Sequence, residues 1–498
     1  MANVWYIGDA QVREVYGQRF DVYNGWAVNE SAFTSGQRAD LDADPGFLLG
    51  QNGPRVNPPW TPDGAVGRDA TLLQKMLDIY NEIPGRLGKA ALDATYVRSV
   101  NGVPVNPETG NVEIEAGSGI RTVVVGDSNT ENGGGPGVSR SWRPGAPWTW
   151  AMMLSGWRCE VVHNAGIGGE TTTQILARYN TDVIAKAPNL VILSAGTNDA
   201  GTTAITVPLE TTKANITEMI ARNRAIGAKT IIGTIPPRNS RDATTRAHAL
   251  PLNAWIRRLP LTQPDVWVVD YYLYLADVAS TSVADQWITD YSNDGTHFRP
   301  KGARIAGMKL AEIITQLFPP LTRISPVRGD ATNLITNQGQ FVGASAGVAP
   351  TGWTLSNSGT MAPYITGLVP RTDGVPGSWL EVVVPNGGSF VMSRAITSQV
   401  SVGDTIQAAV EFDFSALEAS PSVYQYASLD LSIGPAYTNS QAMGHAEGSD
   451  YNHGSDARKG VLLTPPRTLV TGDTPTQIMF DIRGGGTYRF ANATVSKV

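Results

Sequence analysis

Apolar and polar positions follow three different regimes along the chain. Between about residues 120 and 322, short apolar runs alternate with helical patterns. Thr122-Val123-Val124-Val125, Val161-Val162-His163, Leu190-Val191-Ile192-Leu193, Thr230-Ile231-Ile232-Gly233 and Val266-Trp267-Val268-Val269 are short and rich in β-branched residues. Runs of this kind predict strands buried on both faces of a parallel sheet. Amphipathic helices are predicted from Thr172 to about Ala185, from about Pro208 to Ala225, near 243–258, and from about Lys301 to Leu317. The first is capped by threonines, and the last has Pro300 near its start and Pro319-Pro320 just past its end. Repeated β-α alternation implies a parallel sheet covered by helices on both faces.

The flanks read differently. After Pro326, strand-like stretches such as Trp379-Leu380-Glu381-Val382-Val383-Val384, Thr405-Ile406-Gln407-Ala408-Ala409-Val410 and Gln477-Ile478-Met479-Phe480-Asp481-Ile482 lie between Gly, Pro, Asn and Ser turns. They predict an antiparallel β-sandwich over residues 323–498. Residues 1–64 are aromatic and turn-rich, and the segment around Gly53-Pro54 and Pro58-Pro59 reads as a linker. Leu73, Met76, Tyr80, Ile83 and Leu87 form a short heptad seam interrupted by Pro84-Gly85. That seam is either a helix packed on a neighbouring domain or an oligomerisation stalk. Alternation from Ser99 to Ile114 around turn signals predicts a small hairpin. The expected organisation is therefore 1–64 as an attachment region, 65–119 as helical linker and hairpin, 120–322 as the α/β domain and 323–498 as the sandwich.

Composition narrows the class. A length of 498 residues suits about three domains at roughly 100–200 residues each. A net charge of −6 argues against nucleic acid as a partner. No apolar stretch approaches the roughly 18 residues a membrane span needs, and the start lacks the basic and apolar regions of a signal peptide. The single cysteine, Cys159, excludes an internal disulfide and a cysteine-based zinc site, and reads as a core residue.

Candidate chemistry lies in four motifs of the α/β region. Gly126-Asp127-Ser128-Asn129-Thr130 follows the first buried strand, and ligand sites of open α/β sheets lie beyond such strand ends. Asn164-Ala165-Gly166-Ile167-Gly168-Gly169 follows the second strand, Ala195-Gly196-Thr197-Asn198-Asp199 the third, and Asp294-Gly295-Thr296-His297 precedes the last helix. Each has an ordinary reading alone: a turn, a strand-to-helix connection, a helix cap, a structural histidine. Together they supply what a serine nucleophile needs. His297 is the base for Ser128, and Asp294 fixes its tautomer. The Gly166 N–H and the Asn198 side-chain amide are the expected oxyanion donors, with the Ser128 N–H as a third. No cofactor and no metal is expected.

These blocks resemble the SGNH (GDSL) hydrolase family, named for Ser, Gly, Asn and His, matched here by Ser128, Gly166, Asn198 and His297, with Asp294 in the Asp-x-x-His block. The resemblance covers about residues 120–320. It implies a three-layer α/β/α, flavodoxin-like fold and cofactor-free ester hydrolysis through an acyl-serine. Phe298 departs from the proline common at that place and is a candidate for shaping the acyl pocket. The C-terminal region resembles carbohydrate-binding sandwiches, with Trp353, Tyr364, Trp379, Tyr424, Tyr426 and Tyr437 as candidate stacking residues, most of them core. The N-terminal region and the hairpin resemble attachment modules of bacteriophage tail proteins. The implied role is an esterase of a phage tail, acting on acylated host surface polysaccharide, most simply by O-deacetylation. Its implied partners are that glycan and other virion tail proteins, with a homotrimer as the first guess for the assembly. A lipolytic esterase and a non-catalytic receptor-binding protein are the rivals. His163 and His248 read as structural; His445 and His453, near Glu447, Asp450 and Asp456, read as a solvated loop rather than a metal site.

Overall fold

The computed structural model describes residues 120–498 except 240, 278–284, 320–332, 336–339, 357–363, 376, 419–424, 434–435, 444–456 and 474–475, and only short strands before Ile120. Compact packing separates two units, 1–119 and 120–498. In the first unit, Asn3–Tyr6 pairs antiparallel with Ala27–Asn29 and Phe47–Gly50, and Arg13–Val15 with Gln18–Phe20. Ser99–Val100 pairs antiparallel with Val103–Pro104, at the start of the segment for which the sequence predicts a hairpin; the rest of that segment lies outside the described residues. The heptad segment lies outside the described residues.

Counting from Ile120, the α/β part has strands β1 (Ile120–Gly126), β2 (Ser141–Trp142), β3 (Cys159–Gly166), β4 (Leu190–Ser194), β5 (Lys229–Gly233) and β6 (Val266–Val269). Its helices are α1 (Ser128–Glu131), α2 (Pro147–Leu154), α3 (Thr172–Asp182), α4 (Leu209–Ala225), α5 (Ala243–Thr262), α6 (Tyr271–Leu275) and α7 (Pro300–Leu317). Five strands make one all-parallel sheet in the order β3-β1-β4-β5-β6. The chain leaves β1 toward one edge and returns to its other side at β4, so the order reverses at β1, where such sheets bind ligands. Side chains alternate across the sheet. Val123, Val125, Val191, Leu193 and Ile232 pack under α3, α4 and α5, through Ile175, Ile216, Ile220, Leu252 and Ile256. Val124, Ile192, Ile231 and Val269 face the opposite layer, Trp150, Ala303, Ala306 and Leu310 of α2 and α7. The expected α/β/α arrangement is thus the observed one.

The second layer does not stop there. Its core runs on into the C-terminal sandwich, whose inner faces contribute Phe412, Phe414, Phe480 and Phe490. One sandwich sheet pairs Ile365–Pro370, Ser378–Val384, Gly486–Lys497, Thr405–Ser415 and Arg458–Leu463. The other pairs Thr354–Leu355, Ser389–Ala395, Thr476–Arg483, Tyr426–Ile433 and Ala436–Met443, and ends on β2 of the α/β part, in parallel with Ala436–Met443. Trp142 of β2 stands edge-on to Trp148 at 5.7 Å and tilted to Trp157 at 5.3 Å. The Trp157 indole N–H donates to the Val461 carbonyl at 2.9 Å. Gly460 is required here, because a Cβ would lie 2.8 Å from the Met153 carbonyl oxygen of α2. Trp353 and Trp379 are core residues: Trp353 stacks on Phe480, and Trp379 carries the Arg371 guanidinium. Tyr424 and the side chain of Tyr437 lie outside the described residues.

Asp430 sits on the polar phase of Tyr426–Ile433, beside Ser428 and opposite Asn439, yet is only 5% exposed. Burial first, and the neighbouring Asp481 charge second among the raising causes, push its carboxyl up to about 7. The folded state therefore holds this proton more tightly than the unfolded chain, and stability falls as pH rises from about 4 through about 7. Asp430→Asn is expected to flatten that slope and to raise Tm at pH 8; the stability gained there is on the order of 4 kcal/mol at most, at 1.36 kcal/mol per pH unit. Parallel Tm-against-pH curves for the two proteins would refute this.

Candidate active site

Three of the four motifs meet because their strands are neighbours: the loops after β3, β1 and β4 emerge side by side from the same sheet edge. Gly126 ends β1 in a place no side chain fits, since a Cβ would lie 2.1 Å from the Ser194 carbonyl oxygen and 2.4 Å from Thr130 Oγ1. The chain thus turns at once from strand into α1. Asp127 caps this turn, accepting the Asn129 N–H at 2.9 Å. Burial pushes the Asp127 carboxyl up to about 6, against the Asn129 hydrogen bond and the nearby His297.

Ser128 Oγ lies 2.8 Å from His297 Nε2, and His297 Nδ1 lies 2.5 Å from Asp294 Oδ2. Asp294 Oδ1 accepts the backbone N–H groups of Thr296 and His297, both at 2.8 Å. Burial would raise the Asp294 carboxyl, but the hydrogen bonds from His297 and Thr296 outweigh it and hold it at about 2. A carboxylate facing Nδ1 requires the proton there, which leaves the Nε2 lone pair for the serine hydroxyl. Hydroxyl, imidazole and carboxylate in series are the parts of a general-base nucleophile.

The glycine turn corrects one expectation. Gly166 is buried, and its N–H is already given to Asn164 Oδ1 at 2.9 Å. Its lack of a side chain serves packing: a Cβ would lie 2.3 Å from the Glu131 backbone nitrogen. Gly166 is therefore not the free donor that its place in the motif suggested. The Gly168 N–H donates to Glu131 Oε2 at 2.8 Å. Gly169 is exposed, has φ +81°, and its N–H makes no hydrogen bond among the described residues. Asn198 stands at the same end of the turn, where its Nδ2 donates one hydrogen to the Glu170 carbonyl at 3.1 Å and keeps another.

Several supporting residues escape motif reading. Asn164 donates from Nδ2 to the carbonyls of Thr130 at 3.2 Å and Gly134 at 2.7 Å, tying the turn after β3 to the nucleophile loop. Asp199, fully buried, accepts from the Thr172 N–H at 2.9 Å and the Thr212 hydroxyl at 2.9 Å, so the loop after β4 is pinned to α3 and α4. This is the helix-capping role open to Asn198-Asp199, taken by the aspartate alone. Arg178 binds Glu170 at 2.7 Å and the Ala165 carbonyl at 2.8 Å. Arg238 donates to the Thr197 carbonyl at 3.3 Å, beside Asn198. Only polar residue types near strand ends hint at these roles in the sequence, and such residues are common.

The remaining candidates fall elsewhere. Phe298 is buried edge-on to Tyr271 and Trp287, in the core. His248 is buried against the Val207 carbonyl at 3.0 Å, and burial lowers its pKa, as it does for His163. Cys159 is buried, which pushes its thiol up to about 12. His445 and His453 lie outside the described residues. Among the described residues no group of His, Cys, Asp and Glu could hold a metal ion, and no helix is long and apolar enough to cross a membrane.

Solved structures similar to this chain include a GDSL-like lipase from Bacteroides thetaiotaomicron, 20% identical over 48% of this chain and 97% of that one, with a TM-score of 0.31. An alpha/beta hydrolase enzyme from the metagenome of Lake Arreo, Spain, is 21% identical over 40% and 97%, with a TM-score of 0.33. An acetylxylan esterase from Geobacillus stearothermophilus, solved as a catalytic mutant, is 18% identical over 39% and 94%, with a TM-score of 0.31. No curated protein matches the chain. The model of the GDSL-like Lipase/Acylhydrolase family matches residues 124–305, which contain Ser128, Asn198, Asp294 and His297. Residues 124–305 of this chain are a GDSL-like lipase/acylhydrolase domain, the domain of a hydrolase acting on esters.

Proposed function

We propose that this protein is a serine esterase that removes short acyl groups, foremost O-acetyl, from a surface polysaccharide. The carrying observation is the hydrogen-bonded series Ser128–His297–Asp294 at the edge of the sheet. His297 Nε2 takes the hydroxyl proton as Ser128 Oγ attacks the ester carbonyl. The tetrahedral oxyanion is held by the Gly169 N–H and Asn198 Nδ2, with the Ser128 N–H beside them. His297 then protonates the departing sugar oxygen, and water, deprotonated by the same imidazole, releases the carboxylic acid and regenerates Ser128. No step calls for a metal or cofactor.

Exposure supports a short acyl group on a bulky alcohol. The side chains of His297 and Asp294 are 35% and 46% exposed, so a polymer can reach the site without threading a channel. The turn facing Ser128 is Gly168-Gly169, and Ile167 is the exposed apolar residue beside it, a small surface for an acyl tail. The sandwich, fused to the hydrolase through a shared core, is suited to hold the glycan. The likeness of the N-terminal region and hairpin to tail attachment modules supports placement on a phage tail, with other tail proteins as partners and a homotrimer as the first assembly to test.

The test is acetate release from host envelope polysaccharide. The reading predicts release by the wild type and faster turnover of acetyl than of long-acyl esters; preference for long chains would favour lipid substrates instead. Asn198→Ala is expected to lower kcat by about 10²–10³, the usual cost of one oxyanion donor. Near-normal turnover by that variant on p-nitrophenyl acetate would remove Asn198 from the mechanism.

A further inference from the structure

One carboxylate at the site has no part in the proton relay. Glu131 is the last residue of α1, three positions after Ser128, so it lies on the nucleophile's side of that turn. Its Oε2 accepts the Gly168 N–H at 2.8 Å. Its own backbone nitrogen is the atom that closes on Gly166. A Cβ on Gly168 would stand 3.0 Å from Glu131 Oε2 and 3.6 Å from Ser128 Cβ, so the turn touches both ends of α1. A Cβ on Gly169, by contrast, would meet nothing within 4 Å, so that side of the turn is open. The nearest bond inside the turn is a long one, Glu170 N–H to the Ile167 carbonyl at 3.4 Å. The direction of the Gly169 N–H is therefore set by its neighbours: Glu170, tied to Asn198 and Arg178, and Gly168, tied to Glu131.

We infer that Glu131 is a positioning residue for the oxyanion site, its carboxylate clamping the Gly168 peptide so that the Gly169 N–H faces the carbonyl attacked by Ser128. This rests on the esterase reading above. What the clamp needs is an acceptor, not a charge; a negative charge beside a developing oxyanion is unfavourable in itself. Glutamine keeps the acceptor at the same reach, alanine removes it, and aspartate draws it back by one methylene.

The experiment is steady-state kinetics of the full chain on p-nitrophenyl acetate, together with inhibition by a small alkylboronic acid, whose tetrahedral serine adduct mimics the oxyanion. Glu131→Ala is expected to lose about 10²-fold in kcat, as for a small misplacement of catalytic geometry, with KM nearly unchanged. Boronate affinity should fall in parallel, and Glu131→Gln should restore both. A purely structural role would lower Tm without this kcat-selective loss or its rescue. Should the alanine variant fail to fold, aspartate against glutamine decides: kcat reduced for Asp and kept for Gln supports the clamp, equal kcat overturns it. An Ala variant as active as wild type also overturns it. An inactive wild type instead overturns the esterase reading.

Discussion

Ser128→Ala should abolish ester hydrolysis, with a loss on the order of 10⁶ in kcat, as when the nucleophile of a comparable triad is removed. The size follows from interdependence. Without Oγ there is no acyl-enzyme, and the His297–Asp294 pair is left orienting a base with nothing to deprotonate. The fold should be indifferent, because the hydroxyl's side-chain partner is His297 Nε2 at 2.8 Å and that imidazole remains partly exposed to water. Circular dichroism and Tm close to wild type, with p-nitrophenyl acetate turnover at background, are the expected pair of results. The same variant separates esterase from adhesin. If wild type and Ser128→Ala bind host cells equally and neither hydrolyses esters, the hydrolase fold serves only attachment. Turnover above about one hundredth of wild type would remove Ser128 as nucleophile.

Asp294→Asn is the second large effect, expected near 10⁴ in kcat, as for the corresponding change in a Ser-His-Asp triad. The geometry explains why so small a change costs so much. Asp294 Oδ1 is committed to two backbone N–H groups, so the asparagine must keep its carbonyl oxygen there. Its NH₂ then replaces Oδ2 and points at His297 Nδ1. A donor in that position favours the tautomer with hydrogen on Nε2, which cannot accept the Ser128 proton. The loop should persist while the chemistry fails. Because the wild-type carboxyl titrates at about 2, Asp294 stays ionised throughout ordinary assay conditions, and its folded-state benefit is lost only as pH falls toward that value. Loss of activity in Asp294→Asn should therefore persist at every pH above about 4; recovery at alkaline pH would point to a charge effect and not a tautomer effect.

Much of this was legible in the sequence because the sheet is parallel. Strands buried on both faces write themselves as β-branched runs, and those ending at Gly126, Gly166 and Ser194 carry the functional loops. That Ser128, Asp294 and His297 come together, with Asn198 beside the glycine turn, is legible from residue type and order. Gly166 did not hold, because a sequence does not say which of three glycine N–H groups is already spent on a neighbouring side chain. Asn164, two residues earlier, takes the first and Glu131 the second. Glu131 itself carried no signal beyond lying three residues after the serine. The short α2 and α6 leave little mark in the sequence: α2, from Pro147 to Leu154, is buried nearly all round and shows no amphipathic stripe. The change of pattern expected near residue 322 does not divide the packing: residues 120–498 form one compact unit, joined by contacts some three hundred residues apart, such as Trp157 with Val461.

Ser141 and Trp142 bear on how this protein changes over generations. Two residues of the hydrolase complete a sheet that otherwise belongs to the sandwich, and their tryptophan anchors a cluster filled from both sides. An exchange of genetic material that delivered the hydrolase without its sandwich would leave a raw apolar face and an open strand edge. A new sandwich would have to match that edge. Hydrolase and sandwich are thus expected to change together, whereas the first 119 residues pack as a compact unit of their own.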